Sequence, residues 1–183
     1  MSEYKMTMPQ EVVRIINTLE EHGYEAYAVG GCVRDAMLGR TPEDWDITTS
    51  AKPLEVKALF RKTIDTGLQH GTITVMMNGE GYEVTTYRID GEYEDGRHPK
   101  EVAFTTNLKM DLERRDFTIN AMAFSLNGDT FGQLIDPFDG TGDLERLLIR
   151  TPCDPDTTFS DDPLRMIRAV RFAAQLGFDI EPE

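Results

Sequence analysis

The chain has 183 residues, 39% of them hydrophobic and 28% charged, with a formal net charge of −14 at pH 7. That length supports one ordinary domain with its own core plus a small appendage, and the balance excludes both a disordered tail and a helix-spanned membrane protein. The acidity argues against strong, independent attraction to a nucleic-acid backbone. The N-terminus lacks the basic-then-apolar pattern of a secretory leader. Cys32 and Cys153 show no metal-ligand spacing and read as reduced thiols, which points to the cytoplasm.

Residues 9–22 read as an amphipathic helix. Pro9 suits its first turn, Val12, Val13, Ile16 and Leu19 recur at helical spacing, and Gly23 ends it. Residues 26–29 read as a buried strand, 31–38 as a helix closed by Gly39, and 45–49 as a second strand. Pro53 opens a helix that runs to Phe60. Residues 72–77 and 82–89 are β-rich runs flanking Asn78-Gly79-Glu80-Gly81, a hairpin signal. Residues 90–100 are polar and Gly-rich and predict a mobile loop. A short strand at 102–105, a helical segment over 107–122, a strand at 123–126 before the Asn127-Gly128 turn, and helices at 140–147 and 160–176 complete the chain. No internal repeat or low-complexity tract is present. The mixture predicts an α+β fold with a mixed sheet flanked by helices, not a regular doubly wound series.

One stretch concentrates chemistry. Gly30 and Gly31 follow the apolar strand and let the backbone turn sharply at the start of a helix. Such a turn is a seat for a triphosphate, and Arg34 in the first turn offers a guanidinium to phosphate oxygens. Asp44 and Asp46 are two residues apart, so on a strand they share a face. Unpaired they repel, and Mg²⁺ relieves that repulsion. A phosphate seat with a metal-binding Asp pair points to nucleotidyl transfer by two metal ions. Taken singly, the Gly-Gly is also what a plain turn looks like, and the Asp-x-Asp what a solvated turn looks like. Glu83, on the predicted strand 82–89, reads either as a third acidic group near the metals or as a solvent-facing residue. His22, His70 and His98 have no ligand spacing; His70 reads as a turn or core residue.

Later arginines fall in two groups. Arg114 and Arg115, with Asp116, read either as a solvated basic face or as a nucleotide contact supported by Asn120. Asp162, Arg165, Arg168 and Arg171 recur every three residues along the last predicted helix. Ser160 suits its N-cap, and Asp161 is accounted for by the helix dipole. Leu164, Ile167 and Val170 form an adjacent apolar stripe expected to pack on the rest of the domain.

The run GGCVRDAMLGRTPEDWDI resembles the signature of the class II tRNA nucleotidyltransferase and bacterial poly(A) polymerase family. RRDFTINAMA (114–123), DPFDGTGDLERLLIRT (136–151) and DDPLRMIRAVRFAAQLGF (161–178) agree in order and spacing. The resemblance implies a nucleotidyltransferase head of the DNA polymerase β superfamily over residues 1–145 and the start of a helical neck over 146–183. It implies CCA addition: CMP and AMP moved from CTP and ATP to a tRNA 3′ end. Asp44 and Asp46 would hold Mg²⁺, Gly31 and Arg34 would position the triphosphate, and Arg115 would meet the nucleotide. Asp162 and Arg165 would read the Watson–Crick edge of the base, with Arg168 and Arg171 as further nucleotide contacts. The family's later helical domains, which hold tRNA, would be missing from a truncated chain of this length. The alternatives are a poly(A) polymerase, an enzyme adding only CC or only A, or a non-catalytic nucleotide-binding module. CC-only enzymes of the family have a shortened loop at 90–100, which is full here. Oligomeric state is left open.

Overall fold

The computed structural model describes residues 8–90, 102–125, 134–153, 155 and 164–182. Helix α1 (Gln10–Glu21) begins after Pro9 and buries Val12, Ile15, Ile16 and Leu19. Ile15 takes the core position expected of Val13, because the face that meets the sheet is rotated by part of a turn. Strand β1 (Ala26–Val29) is followed by α2 (Gly31–Met37), β2 (Asp46–Thr49), α3 (Pro53–Leu59) and β3 (Thr63–Gly67). Strands β4 (Thr72–Met77) and β5 (Glu80–Thr86) form the expected hairpin. Its loop is only Asn78-Gly79, both residues at positive φ, as a tight hairpin turn requires.

Arg88–Asp90 (β6) pairs with Val102–Phe104 (β7) outside the main sheet. Helix α4 (Leu108–Glu113), β8 (Ala123–Ser125), β9 (Leu134–Ile135), α5 (Gly140–Arg146), β10 (Leu148–Ile149), α6 (Leu164–Leu176) and β11 (Asp179–Ile180) follow. The main sheet has seven strands in the order β3-β4-β5-β2-β1-β8-β9. Only the β2–β5 pair is parallel; its other neighbours run antiparallel. Helices α1 and α3 pack on this sheet, and the main core joins α1 and α2 to residues of β1, β2, β4 and β5.

Three expectations need correction. The helix expected over 107–122 stops at Glu113 and gives way to a 3-10 turn at Thr118–Asn120. Phe117 is extended (φ −133°, ψ 154°), which ends the helical path, and Phe117 and Ile119 are both fully buried. Strand β3 was not anticipated, since most of its residues are exposed and show no alternation. The stripe expected to pack on the head, Leu164, Ile167 and Val170, is exposed at 43%, 66% and 63%. The inward side of α6 is instead Ala169, Phe172 and Leu176, rotated round the helix from the predicted stripe. The 90–100 loop, apart from Asp90, and the start of the helix expected from residue 160 lie outside the described residues.

Helix α5 and the 3-10 turn pack closely at Gly140, and Thr118 Oγ1 also donates to Asp143. A Cβ on Gly140 would lie within van der Waals overlap of the Thr118 carbonyl oxygen and 3.0 Å from Met122. Gly140→Ala is therefore expected to destabilise the fold by about 1–3 kcal/mol through overpacking, read as a lower thermal midpoint. An unchanged midpoint would mean that α5 can slide away from the turn at no cost.

Candidate active site

Pairing register gathers the acidic groups. Val29, the last residue of β1, sits opposite Asp46, and Asp46 sits opposite Glu83 across the parallel β2–β5 pair. The Gly30-Gly31 turn leaves β1 beside that point. Asp44 lies in the extended approach to β2, exposed, with Trp45 buried and Asp46 half-buried. Asp44, Asp46, Glu83, Gly30 and Gly31 all line one cleft of about 820 Å³. Glu83 is exposed and also lines this cleft opposite Asp46, so its place is compatible with both readings, and the register that puts it there is invisible in the sequence.

The surroundings of Asp46 disfavour its ionised form. Burial raises the Asp46 carboxyl from its ordinary 3.8 to about 6; the neighbouring charges of Glu83 and Asp44 push the same way, against the pull of Arg115. Cys32, beneath the same point, is buried, donates to the Val29 carbonyl at 3.2 Å, and is pushed up to about 11, chiefly by burial. It is a protonated packing group, as expected of a structural thiol. Among the described residues no three His, Cys, Asp or Glu side chains already surround a common point as a finished metal cage. The donors are carboxylate oxygens in an open cleft, which suits a hard ion that completes its shell with substrate oxygens.

The Gly-Gly turn is shaped for close approach. Gly30 has φ +82°, no side chain caps α2, and a Cβ at Gly30 would stand 3.7 Å from the Arg115 guanidinium. Arg34 is buried in the cleft wall. Its Nε donates to Asp35 at 2.9 Å and an Nη to Asn120 Oδ1 at 2.7 Å. Arg115 pairs with Asp111 at 3.2 Å, and its Nε has no hydrogen-bond partner among the described residues. Desolvation and the adjacent Arg114 lower its pKa.

Asp111 is a site residue that sequence reading missed. It is fully buried and accepts from Thr48 Oγ1 (3.0 Å), the Arg88 N–H (3.1 Å), Arg114 Nε (3.3 Å) and Arg115 Nη2 (3.2 Å). Thr48 is two residues along β2 from Asp46, so one carboxylate ties strand β2 to both arginines. Its place between Asn107 and Arg115 on a predicted helix carried no sign of this role.

Helix α6 brings Arg165 and Arg168 to the same cleft, together with Phe172 and Gln175, neither of which the sequence singled out. Arg165 donates to the Arg114 carbonyl at 3.0 Å. Arg168 forms an ion pair with the buried Asp116 at 2.9 Å, off the hydrogen-bond direction. Arg171 is exposed and does not line the cleft. Asp162 lies outside the described residues. Among the described residues seven arginines and no lysine line the cleft, so an acidic chain gathers cations there.

Comparison with known proteins bears on the family and the fold. The sequence profile of the Poly A polymerase head domain matches residues 26–150. A CCA-adding enzyme of Lactobacillus johnsonii is 53% identical over 169 residues, covering 92% of this chain and 42% of that protein. One of Bacillus pumilus is 54% identical over 171 residues, covering 93% and 42%. The crystal structure of Bacillus stearothermophilus CCA-adding enzyme in complex with CTP has a TM-score of 0.87 at 47% identity, covering 96% of this chain and 42% of that one. A tRNA nucleotidyltransferase complexed with a primer tRNA and an incoming ATP analog has a TM-score of 0.72 at 35% identity, covering 92% and 46%. The chain thus spans less than half the length of these relatives. No helix among the described residues is long and apolar enough to cross a membrane. The mixed sheet flanked by helices is the α+β head expected from the sequence, and the profile match over most of its length places this chain in the poly A polymerase head-domain family.

Proposed function

We propose that the chain is the catalytic head of a cytoplasmic CCA-adding tRNA nucleotidyltransferase, acting on CTP, ATP and the tRNA 3′ end. The observation that carries this reading is the shared cleft: Asp44, Asp46 and Glu83 line it together with the Gly30-Gly31 turn, Arg34, Arg115, Arg165 and Arg168. Asp44 and Asp46, with Glu83 beside them, are suited to hold Mg²⁺, since their oxygens are hard donors and their mutual repulsion favours a cation. Bound Mg²⁺ would lower the pKa of the attacking 3′-hydroxyl and neutralise charge on the leaving pyrophosphate.

The chain's own residues supply position and field. Gly31 lets the triphosphate approach the backbone, and Arg34 and Arg115 face its negative charge across a partly desolvated wall. The 3′ oxygen forms its bond to the α-phosphorus as the bond to pyrophosphate breaks. Arg168 and Arg171 add nucleotide contacts from α6, Arg171 after a movement of its exposed side chain. Asp162 and Arg165 read the base edge, with residues 1–145 as head and 146–183 as the start of the neck. Losing one hydrogen-bond partner of a base edge costs about 1–3 kcal/mol. Arg165→Ala is accordingly expected to reduce the preference for CTP and ATP over UTP and GTP, measured by competitive incorporation. Unchanged selectivity would remove Arg165 from base recognition.

The test of the reading itself is incorporation by the full-length protein on tRNA ending before CCA, with each nucleotide supplied separately and together. Growth by CCA alone, dependent on Mg²⁺, is the expected result. A long adenosine tail, or growth by only CC or only A, would assign the chain to one of those activities. No Mg²⁺-dependent growth would leave a nucleotide-binding module.

A further inference from the structure

Phe172 sits where α6 meets the rest of the site. The Arg34 guanidinium carbon lies 5.0 Å from the centre of its ring, and that of Arg168 lies 5.5 Å from the same centre. Phe117 meets the ring edge-on, with centroids 5.9 Å apart and planes at 90°. Phe117 is fully buried, and its N–H donates to Asp116 Oδ1 at 2.8 Å. The other oxygen of Asp116 is the one paired with Arg168. Ring and ion pair therefore fasten α6 to the same two head residues, 116 and 117.

The two guanidiniums differ in how they are held. Arg34 keeps Asp35 and Asn120 whatever happens to the ring. Arg168 has a half-exposed side chain, and its partners are the ring and one ion pair. Much of the rest of α6 faces solvent, including Met166, Ile167 and Val170. An aromatic ring that attracts both cations fixes the helix relative to the Gly-Gly turn more narrowly than apolar contact alone, because the attraction depends on ring orientation.

We propose that Phe172 is a positioning residue for nucleotide selection: its ring registers α6 against α2, so that the arginines of α6 meet the base while Arg34 meets the phosphates. This rests on the nucleotidyl-transfer reading above. It predicts a split between two kinds of ligand. Tripolyphosphate has no base and needs only the Gly-Gly and Arg34 side of the cleft. CTP and ATP need both sides.

The experiment titrates the protein with CTP, ATP, UTP and tripolyphosphate in Mg²⁺, for wild type, Phe172→Leu and Phe172→Trp. Leucine keeps most of the apolar bulk but offers no ring face; tryptophan restores one. Phe172→Leu is expected to lower the preference for CTP and ATP over UTP by roughly tenfold, with tripolyphosphate affinity retained within about twofold. Phe172→Trp should restore most of the preference. If Phe172→Leu keeps the wild-type preference, or loses nucleotide and tripolyphosphate affinity together without rescue by Phe172→Trp, the ring is only a packing group and the inference is wrong. If the wild type itself shows no Mg²⁺-dependent preference, the nucleotidyl-transfer reading fails first and takes this inference with it.

Discussion

Asp46→Asn should reduce nucleotide transfer by roughly 1,000-fold, about 4 kcal/mol of lost transition-state stabilisation, and yet make the metal-free protein more stable at neutral pH. The sign follows from the direction of the shift. In the folded chain this carboxyl titrates near 6, above its ordinary 3.8, because burial and the charges of Glu83 and Asp44 disfavour its ionised form. Ionising it therefore costs the folded state. The cost is absent below the unfolded value, grows between about pH 4 and pH 6, and is fully present above. A shift of about two units corresponds to at most about 3 kcal/mol. The thermal midpoint of Asp46→Asn should exceed that of wild type at about pH 8 in chelator and match it near pH 4. Saturating Mg²⁺ should narrow the difference by stabilising wild type. Full turnover in the variant would refute the metal-holding role, and equal midpoints at both pH values would refute the buried repulsion.

Asp111→Ala is expected to act in the opposite sense, lowering stability by about 3–5 kcal/mol. Removing a fully buried carboxylate leaves Arg114 and Arg115 without their shared counter-charge, takes the acceptor of the Arg88 N–H, and leaves Thr48 Oγ1 only the longer bond to the Thr85 carbonyl. Burial opposes ionisation here as well, but the two arginines and the donated hydrogen bonds outweigh it and hold the carboxyl below its ordinary value. Its contribution is present above the unfolded value near 3.8 and is lost as pH falls through the lower folded value. Wild type should thus lose stability in acid at a place where Asp111→Ala has none to lose. Chemical denaturation of both proteins from about pH 7 to pH 3 reads this as converging midpoints. Nucleotide affinity should fall too, because Arg115 is then free to swing out of the cleft wall. A stability loss under about 1 kcal/mol at neutral pH would mean that water satisfies the arginines.

These two aspartates show what was legible in the sequence. Asp46 stands in a short motif beside a strand whose bounds, Ala26–Val29, follow directly from an apolar run ended by two glycines. Local pattern was enough there. Asp111 stands on a short helix whose partners come from β2, β6 and its own next turn, and only tertiary pairing reveals them. Glu83 was undecided for the same reason, since the parallel register with Asp46 depends on the whole path between them. The stripe on α6 failed differently. Leu164, Ile167 and Val170 do form a face, but the arginines and Phe172 determine which side turns toward the head. Helical periodicity names a face without naming its neighbour.

The parallel pairing of β2 with β5 bears on the order in which the molecule assembles. Every other adjacency in the seven-stranded sheet is antiparallel, whereas Asp46 and Glu83 become neighbours only after α3, β3 and β4 have carried the chain out and back. The β3-β4-β5 meander can form by itself from local turns. Docking it onto β2 closes a longer loop and must also bring like charges together. A molecule halted before that step carries Asp44 and Asp46 without Glu83, and its cleft is open along one wall. On the nucleotidyl-transfer reading, errors of folding in this head should therefore weaken transfer rather than redirect it to another nucleotide.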